Sequence, residues 1–202
     1  GLTASALLDG GTITGGNADG NFPHNNGGGM CNFQCSPTLN NVIISRNAAA
    51  YYGGGIYNYQ SSSPTLNNVT ICRNTGGHGG GISNHQLSSP TLNNVTICEN
   101  YGFIWGGGIY NYNLSSPTLN NVTIYGNEAH DFGGGIFNRD NCSTTLTNVS
   151  IFGNIGDYGG GIYNYSSYLT LTNVKILENT ARVYGGGFCN IFASATISNI
   201  FM

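Results

Sequence analysis

Asp131 and Asp157 each stand two residues ahead of a Gly-Gly-Gly triplet, and His130 adjoins the first of them. Carboxylates held close together can share a proton, flank a glycosidic bond as an acid and base, or hold Ca²⁺. That chemistry would make the chain a carbohydrate-active enzyme, a polysaccharide lyase or glycosidase, with Asp131 and Asp157 as its catalytic pair. The plainer alternative is two solvated loop acids, because no third acid shares the repeat position: Tyr51, Gly77, Ile104 and Val183 fill it elsewhere. Charge is scarce throughout, with five Lys and Arg, eight Asp and Glu and a net charge of −3 in 202 residues. Scattered cations make a poor site for a polyanionic substrate and give no basic footprint for nucleic acid.

The remaining polar candidates are weaker. Arg73 and Glu99 share a repeat position with Arg46, which predicts a surface ion pair worth about 0–1 kcal/mol. The stretch GGNADGN, Gly15 to Asn21, resembles a calcium-binding nonapeptide but occurs once and lacks the repeated Asp. Six cysteines, Cys31, Cys35, Cys72, Cys98, Cys142 and Cys189, include no CxxC pair, so neither a metal site nor a cofactor is expected. Cys31 and Cys189 follow the first and last triplets by the same offset. They lie too far apart to pair within one copy, but head-to-tail stacking would bring Cys189 of one copy to Cys31 of the next, as an intermolecular disulfide.

Aromatic residues offer a binding function instead. Tyr52, His78, Trp105, Phe132, Tyr158 and Tyr184 precede successive triplets, while Tyr57, Tyr110, Phe137 and Tyr163 follow them. As outward columns on a rigid surface they suit sugar rings or a flat partner. Their structural alternative is to bridge strands and cover a corner.

The elements that position these residues follow from the triplets themselves, which begin at Gly27, Gly53, Gly79, Gly106, Gly133, Gly159 and Gly185. A period of 26 or 27 residues makes each unit one supersecondary turn that must stack on its neighbours to bury its apolar face. Within GGGIYNYQSSSPTLNNVTICRN, Gly53 to Asn74, apolar residues alternate over three to five positions, which is strand periodicity. The breaks leave no room for a helix. Each unit is therefore two or three short strands joined by bends, and the fold class is all-β: one right-handed parallel β-helix of about seven coils over residues 1–202. Residues 1–26 form an entry coil and residues 27–202 the seven repeats.

Stacking in register aligns like residues at the inter-strand spacing of about 4.8 Å. One asparagine ladder holds Asn32, Asn58, Asn84, Asn111, Asn138, Asn164 and Asn190. A second holds Asn41, Asn68, Asn94, Asn121, Asn148, Asn173 and Asn199. Each Asn can satisfy its own bend and the amide above it. The Ile56, Leu66, Val69 and Ile71 columns fill the tube, and the glycines permit positive φ and close coil approach.

The pairing of GGGI with I-x-x-N, at Ile44 to Asn47, Ile71 to Asn74, Ile97 to Asn100, Ile124 to Asn127, Ile151 to Asn154 and Ile176 to Asn179, resembles the repeats of polymorphic outer membrane proteins. Those repeats carry GGA-aliphatic and F-x-x-N motifs, with Phe where this chain has Ile. LDGGTITGGNADG, Leu8 to Gly20, is similar to the entry coil of bacterial parallel β-helix proteins of the pectin-lyase-like class. The resemblance implies a secreted or cell-surface protein. No apolar run is long enough for a membrane helix, the first ten residues lack the basic start of a signal peptide, and no C-terminal stretch reads as an autotransporter barrel. Export route and anchor stay open. The expected function is a non-catalytic structural or adhesive module that binds glycans or a host or cell surface. The repeat breaks off uncapped at both ends, so the chain is either a piece of a longer one or a protomer that stacks on copies of itself as a surface fibre.

Overall fold

The computed structural model describes residues 6–21 and 24–202. Residues 1–5 and 22–23 of the expected entry coil lie outside that description. Among the described residues every regular element is a strand, and the strands form a parallel β-solenoid of about seven coils.

One coil contains four short strands rather than two or three: Thr65–Asn67, Thr70–Cys72, Thr75–His78 and Ile82–His85. The extra division comes at Asn68, whose φ of 54° bends the run TLNNVTIC into two faces. Asn and Asp tolerate this left-handed region better than other side chains, which is why Asn recurs at that corner. Faces three and four each form a seven-stranded sheet. Faces one and two join into a 14-stranded sheet because Tyr168–Leu177 runs unbroken through both.

Register is fixed by the apolar columns. Leu39, Leu66, Leu92, Leu119, Leu146 and Leu171 pair coil to coil on face one. Ile44, Ile71, Ile97, Ile124, Ile151 and Ile176 do so on face two. With the Val69 and Ile56 columns they form one continuous core inside the tube. A one-residue slip would turn every one of these side chains to solvent, so the pattern enforces the stacking.

The triplet makes the corner between faces three and four. Gly53 adopts φ of 65°. At Gly54 a Cβ would run into the carbonyl oxygens of Thr75 and of Gly80 on the next coil, so only glycine lets the coils approach there.

The first asparagine ladder is buried from Asn32 to Asn164, and Asn190 is exposed at its end. Asn58 Nδ2 donates to Asn84 Oδ1, Asn84 Nδ2 to Asn111 Oδ1 and Asn111 Nδ2 to Asn138 Oδ1, each at 2.8 Å. One step breaks: Thr144 Oγ1 donates to Asn138 Oδ1 at 2.7 Å, while Asn138 Nδ2 and Asn164 Oδ1 have no partner. Thr144 stands where the other coils have Pro37, Pro64, Pro90 and Pro117. The second ladder is exposed at the Asn68 corner and looser, with Asn94 Nδ2 donating to Asn68 Oδ1 at 3.3 Å, Asn121 Nδ2 to Asn94 Oδ1 at 3.3 Å and Asn148 Nδ2 to Asn121 Oδ1 at 3.1 Å.

Further ladders hold the other corners. Asn74 Oδ1 accepts from both the backbone N–H and the Nδ2 of Asn47 at 3.0 Å, and Asn74 Nδ2 donates to Asn100 Oδ1 at 3.0 Å and to the Ile44 carbonyl at 2.9 Å. The Ser-Ser-Pro segments supply two serine ladders of opposite direction. The Ser62 N–H donates to Ser88 Oγ at 3.1 Å, and the Ser63 N–H to Ser36 Oγ at 2.8 Å. Backbone groups at bends are thus paired by side chains, as burial requires. A disulfide joins Cys72 to Cys98 on neighbouring rungs of face two, with Cα atoms 4.6 Å apart.

Candidate functional site

The corner at the triplet is concave, so side chains pointing away from the tube on faces three and four converge. Three columns meet there. The residues before the triplets stack in order as Tyr52, His78, Trp105, Phe132, Tyr158 and Tyr184. Face four contributes Tyr57, Ser83, Tyr110, Phe137, Tyr163 and Cys189 in one row. Two residues further along lie Tyr59, His85, Tyr112, Arg139 and Tyr165.

The first row folds over the second, with ring centroids 5.4 Å apart for Tyr52 and Tyr57 and 5.7 Å for both Trp105 with Tyr110 and Phe132 with Phe137. Tyr57, Tyr110 and Tyr163 are therefore buried, at 6%, 2% and 8% exposure, and are not the surface contacts that outward alternation predicts. Tyr110 and Tyr163, with Phe137, are the floor of a second, aromatic core outside the tube, while Tyr57, beyond Ser83 in the row, packs under Tyr52. Each ring pair adds about 0.5–1.5 kcal/mol beyond its burial, which stiffens the wall. Tyr52, Trp105, Phe132 and Tyr158 remain partly exposed along its rim, and Tyr184 is largely exposed.

At one height the wall opens. Trp105, Phe132, Phe137, Arg139, Tyr163 and Tyr165 line a cleft of about 180 Å³. Arg139 replaces an aromatic ring in its row and lays its guanidinium 5.0 Å from the Trp105 ring centre and 5.6 Å from that of Tyr112. Such cation–π contacts hold the charge against the wall. Asp140 pairs with Arg139 Nε at 3.2 Å. Trp105 Nε1 and His78 Nδ1 are buried without a hydrogen-bond partner.

Burial also sets the protonation states around the cleft. Desolvation pushes His78 down to about 4 and His85 down to about 3, so both rings are neutral near pH 7. Arg139 adds to the effect on His78, and His78 to that on His85. Desolvation raises Tyr52 to about 12 and holds the Tyr57 and Tyr110 hydroxyls protonated as well.

Neither candidate carboxylate lines the cleft; the two lie on adjacent rungs of face three. The N–H groups of Asp157 and Tyr158 donate to the Asp131 carbonyl at 2.8 and 2.9 Å. Each acid has its own partner: His130 Nδ1 lies 2.6 Å from Asp131 Oδ1, and Arg182 Nη1 donates to Asp157 Oδ1 at 3.0 Å. Arg182 Nη2 also reaches Glu128 Oε1 at 3.1 Å, a link across coils that no repeat position signals. Arg73 and Glu99 form the expected surface pair, at 2.7 Å. Among the described residues no three His, Cys, Asp or Glu side chains gather to hold a metal ion.

Cys189 is 9% exposed within the aromatic core, whereas Cys31 is exposed. A disulfide between copies would have to draw Cys189 out of that packing. The pairing present is Cys72 with Cys98, at the same position of consecutive repeats.

Fold and site together define a parallel β-solenoid repeat protein with an aromatic wall along one corner. Comparison with protein-family models, curated proteins and solved structures finds no match to this chain.

Proposed function

We propose that this chain is a non-catalytic adhesive module acting outside the cell, and that its aromatic wall binds glycans on an opposing surface. The observation that carries this reading is the cleft between Trp105 and Tyr165, where ring faces with a guanidinium beside them line a concave surface on a rigid stack. Sugar rings present C–H-rich faces that pack on such surfaces, and aromatic and Arg side chains dominate binding energies where they anchor a contact. The disulfide supports an oxidising, extracellular location. So does the resemblance of the GGGI and I-x-x-N motifs to polymorphic outer membrane repeats. The same stack would serve a structural surface fibre, with the adhesive wall repeated along it.

The alternative is catalysis by Asp131 and Asp157. The two acids are tied to His130 and Arg182 and do not line the aromatic cleft, which favours a structural role for them. Retention on an immobilised glycan panel tests the proposal, with Asp131→Asn and Trp105→Ala beside the wild type. Retention lost in Trp105→Ala and kept in Asp131→Asn supports adhesion. Release of sugar by the wild type, abolished in Asp131→Asn, overturns it.

A further inference from the structure

Resting on the glycan-binding reading, we propose that the cleft selects one pyranose ring carrying a negative substituent, a carboxylate or a sulfate. The cleft's volume of about 180 Å³ falls below the roughly 300–1,000 Å³ of pockets for larger ligands and suits a single sugar ring. Its lining is aromatic: Phe132 and Tyr163 stack on each other with centroids 4.9 Å apart, Trp105 meets Phe137 edge-on at 5.8 Å, and the partly exposed Trp105, Phe132 and Tyr165 are the rings left to meet a ligand.

The polar groups at the cleft are chiefly donors. Arg139 is the one cation in a row otherwise filled by Phe33, Tyr59, His85, Tyr112, Tyr165 and Ile191, and it stands at the rung where the wall opens. Its Nε pairs with Asp140, while Nη1 and Nη2 have no acceptor among the described residues. That leaves a planar two-pronged donor edge, the geometry that a carboxylate or sulfate accepts through two oxygens. Buried Trp105 Nε1 is a further donor without an acceptor. A neutral sugar can accept single hydrogen bonds from these donors through its hydroxyl oxygens; an anionic one adds the stronger, charge-assisted pair to the guanidinium.

Three methyl glycosides of one hexose test this by calorimetry: the neutral sugar, its uronate and its 6-sulfate. The wild type is expected to bind at least one anionic form about tenfold tighter than the neutral one, the scale of a single charged hydrogen-bonded pair. Arg139→Tyr, which restores the residue type of the neighbouring rungs, is expected to bind the neutral sugar and lose the preference. Arg139→Gln repeats the test should Arg139→Tyr fail to fold, as judged by circular dichroism. Equal binding of neutral and anionic sugars, or a preference that survives in the folded Arg139 variant, overturns anion selection and leaves glycan binding standing. No binding of any of the three overturns both.

Discussion

Replacing Asn111 by Ala removes the middle member of the buried ladder. In the wild type Asn111 Oδ1 accepts from Asn84 Nδ2 and Asn111 Nδ2 donates to Asn138 Oδ1, both at 2.8 Å, with Thr144 Oγ1 a further acceptor at 3.4 Å. The three asparagines are at most 1% exposed, so water cannot replace the lost partner without opening the corner. Asn84 Nδ2 is left unpaired. Asn138 Oδ1 keeps the Thr144 hydroxyl and loses less. One stranded buried donor costs about 1–3 kcal/mol, and the cavity left by the missing amide adds to it, giving about 2–4 kcal/mol in all. Asn113→Gly is the control: Asn113 is half-buried at a bend with φ of 53°, which glycine adopts freely, and the expected change is below about 1 kcal/mol. Chemical denaturation followed by circular dichroism reads both. Equal midpoints for Asn111→Ala and Asn113→Gly would refute the ladder as a source of stability.

Two other predictions concern stability. His78 and His85 titrate at about 4 and 3 in the folded chain, against about 6.5 when unfolded, so the unfolded chain binds protons first. Stability is complete well above about pH 6.5 and falls as the pH drops toward 4 and 3, by at most about 3 kcal/mol for His78 and about 5 kcal/mol for His85. Denaturation midpoints against pH should flatten in His78→Phe with His85→Tyr, residue types already found in those rows; an unchanged acid slope would sink the idea. The Cys72–Cys98 disulfide closes a 26-residue separation and is expected to add about 3 kcal/mol. Reductant should lower the guanidinium midpoint of the wild type but not of Cys72→Ser, and identical wild-type midpoints with and without reductant would contradict it.

The solenoid is legible in the sequence because its period, its glycine triplets and its aliphatic and Asn columns all repeat one residue type at one position. The Asn58 ladder follows directly from that periodicity. The break between Asn138 and Asn164 does not, since it coincides with Thr144, six residues from Asn138. The Asn74 ladder shows in the sequence only as the last position of I-x-x-N, where periodicity cannot tell a motif residue from an inward amide. The row of Tyr59, His85, Tyr112, Arg139 and Tyr165 escapes notice because its chemistry changes from coil to coil.

Burial of Tyr57, Tyr110 and Tyr163 is illegible for a different reason. Alternation tells which side of a strand a residue takes, but not that the corner is concave and brings Tyr52 and Trp105 over them. The disulfide was legible in principle, because Cys72 and Cys98 occupy one column on consecutive rungs, the same logic that yields the ladders. The Arg182 link to Glu128 and Asp157 depends on the reach of a long side chain and leaves no periodic signal.

Trp105 is the only tryptophan in the chain, and it forms one wall of the cleft. Its fluorescence therefore tests the adhesive reading at the site itself. Titration with a glycan retained on the panel should give a saturable change in emission and shield Trp105 from a soluble quencher. A glycan that is retained while Trp105 emission and quenching stay unchanged would contradict the assignment of binding to the aromatic cleft.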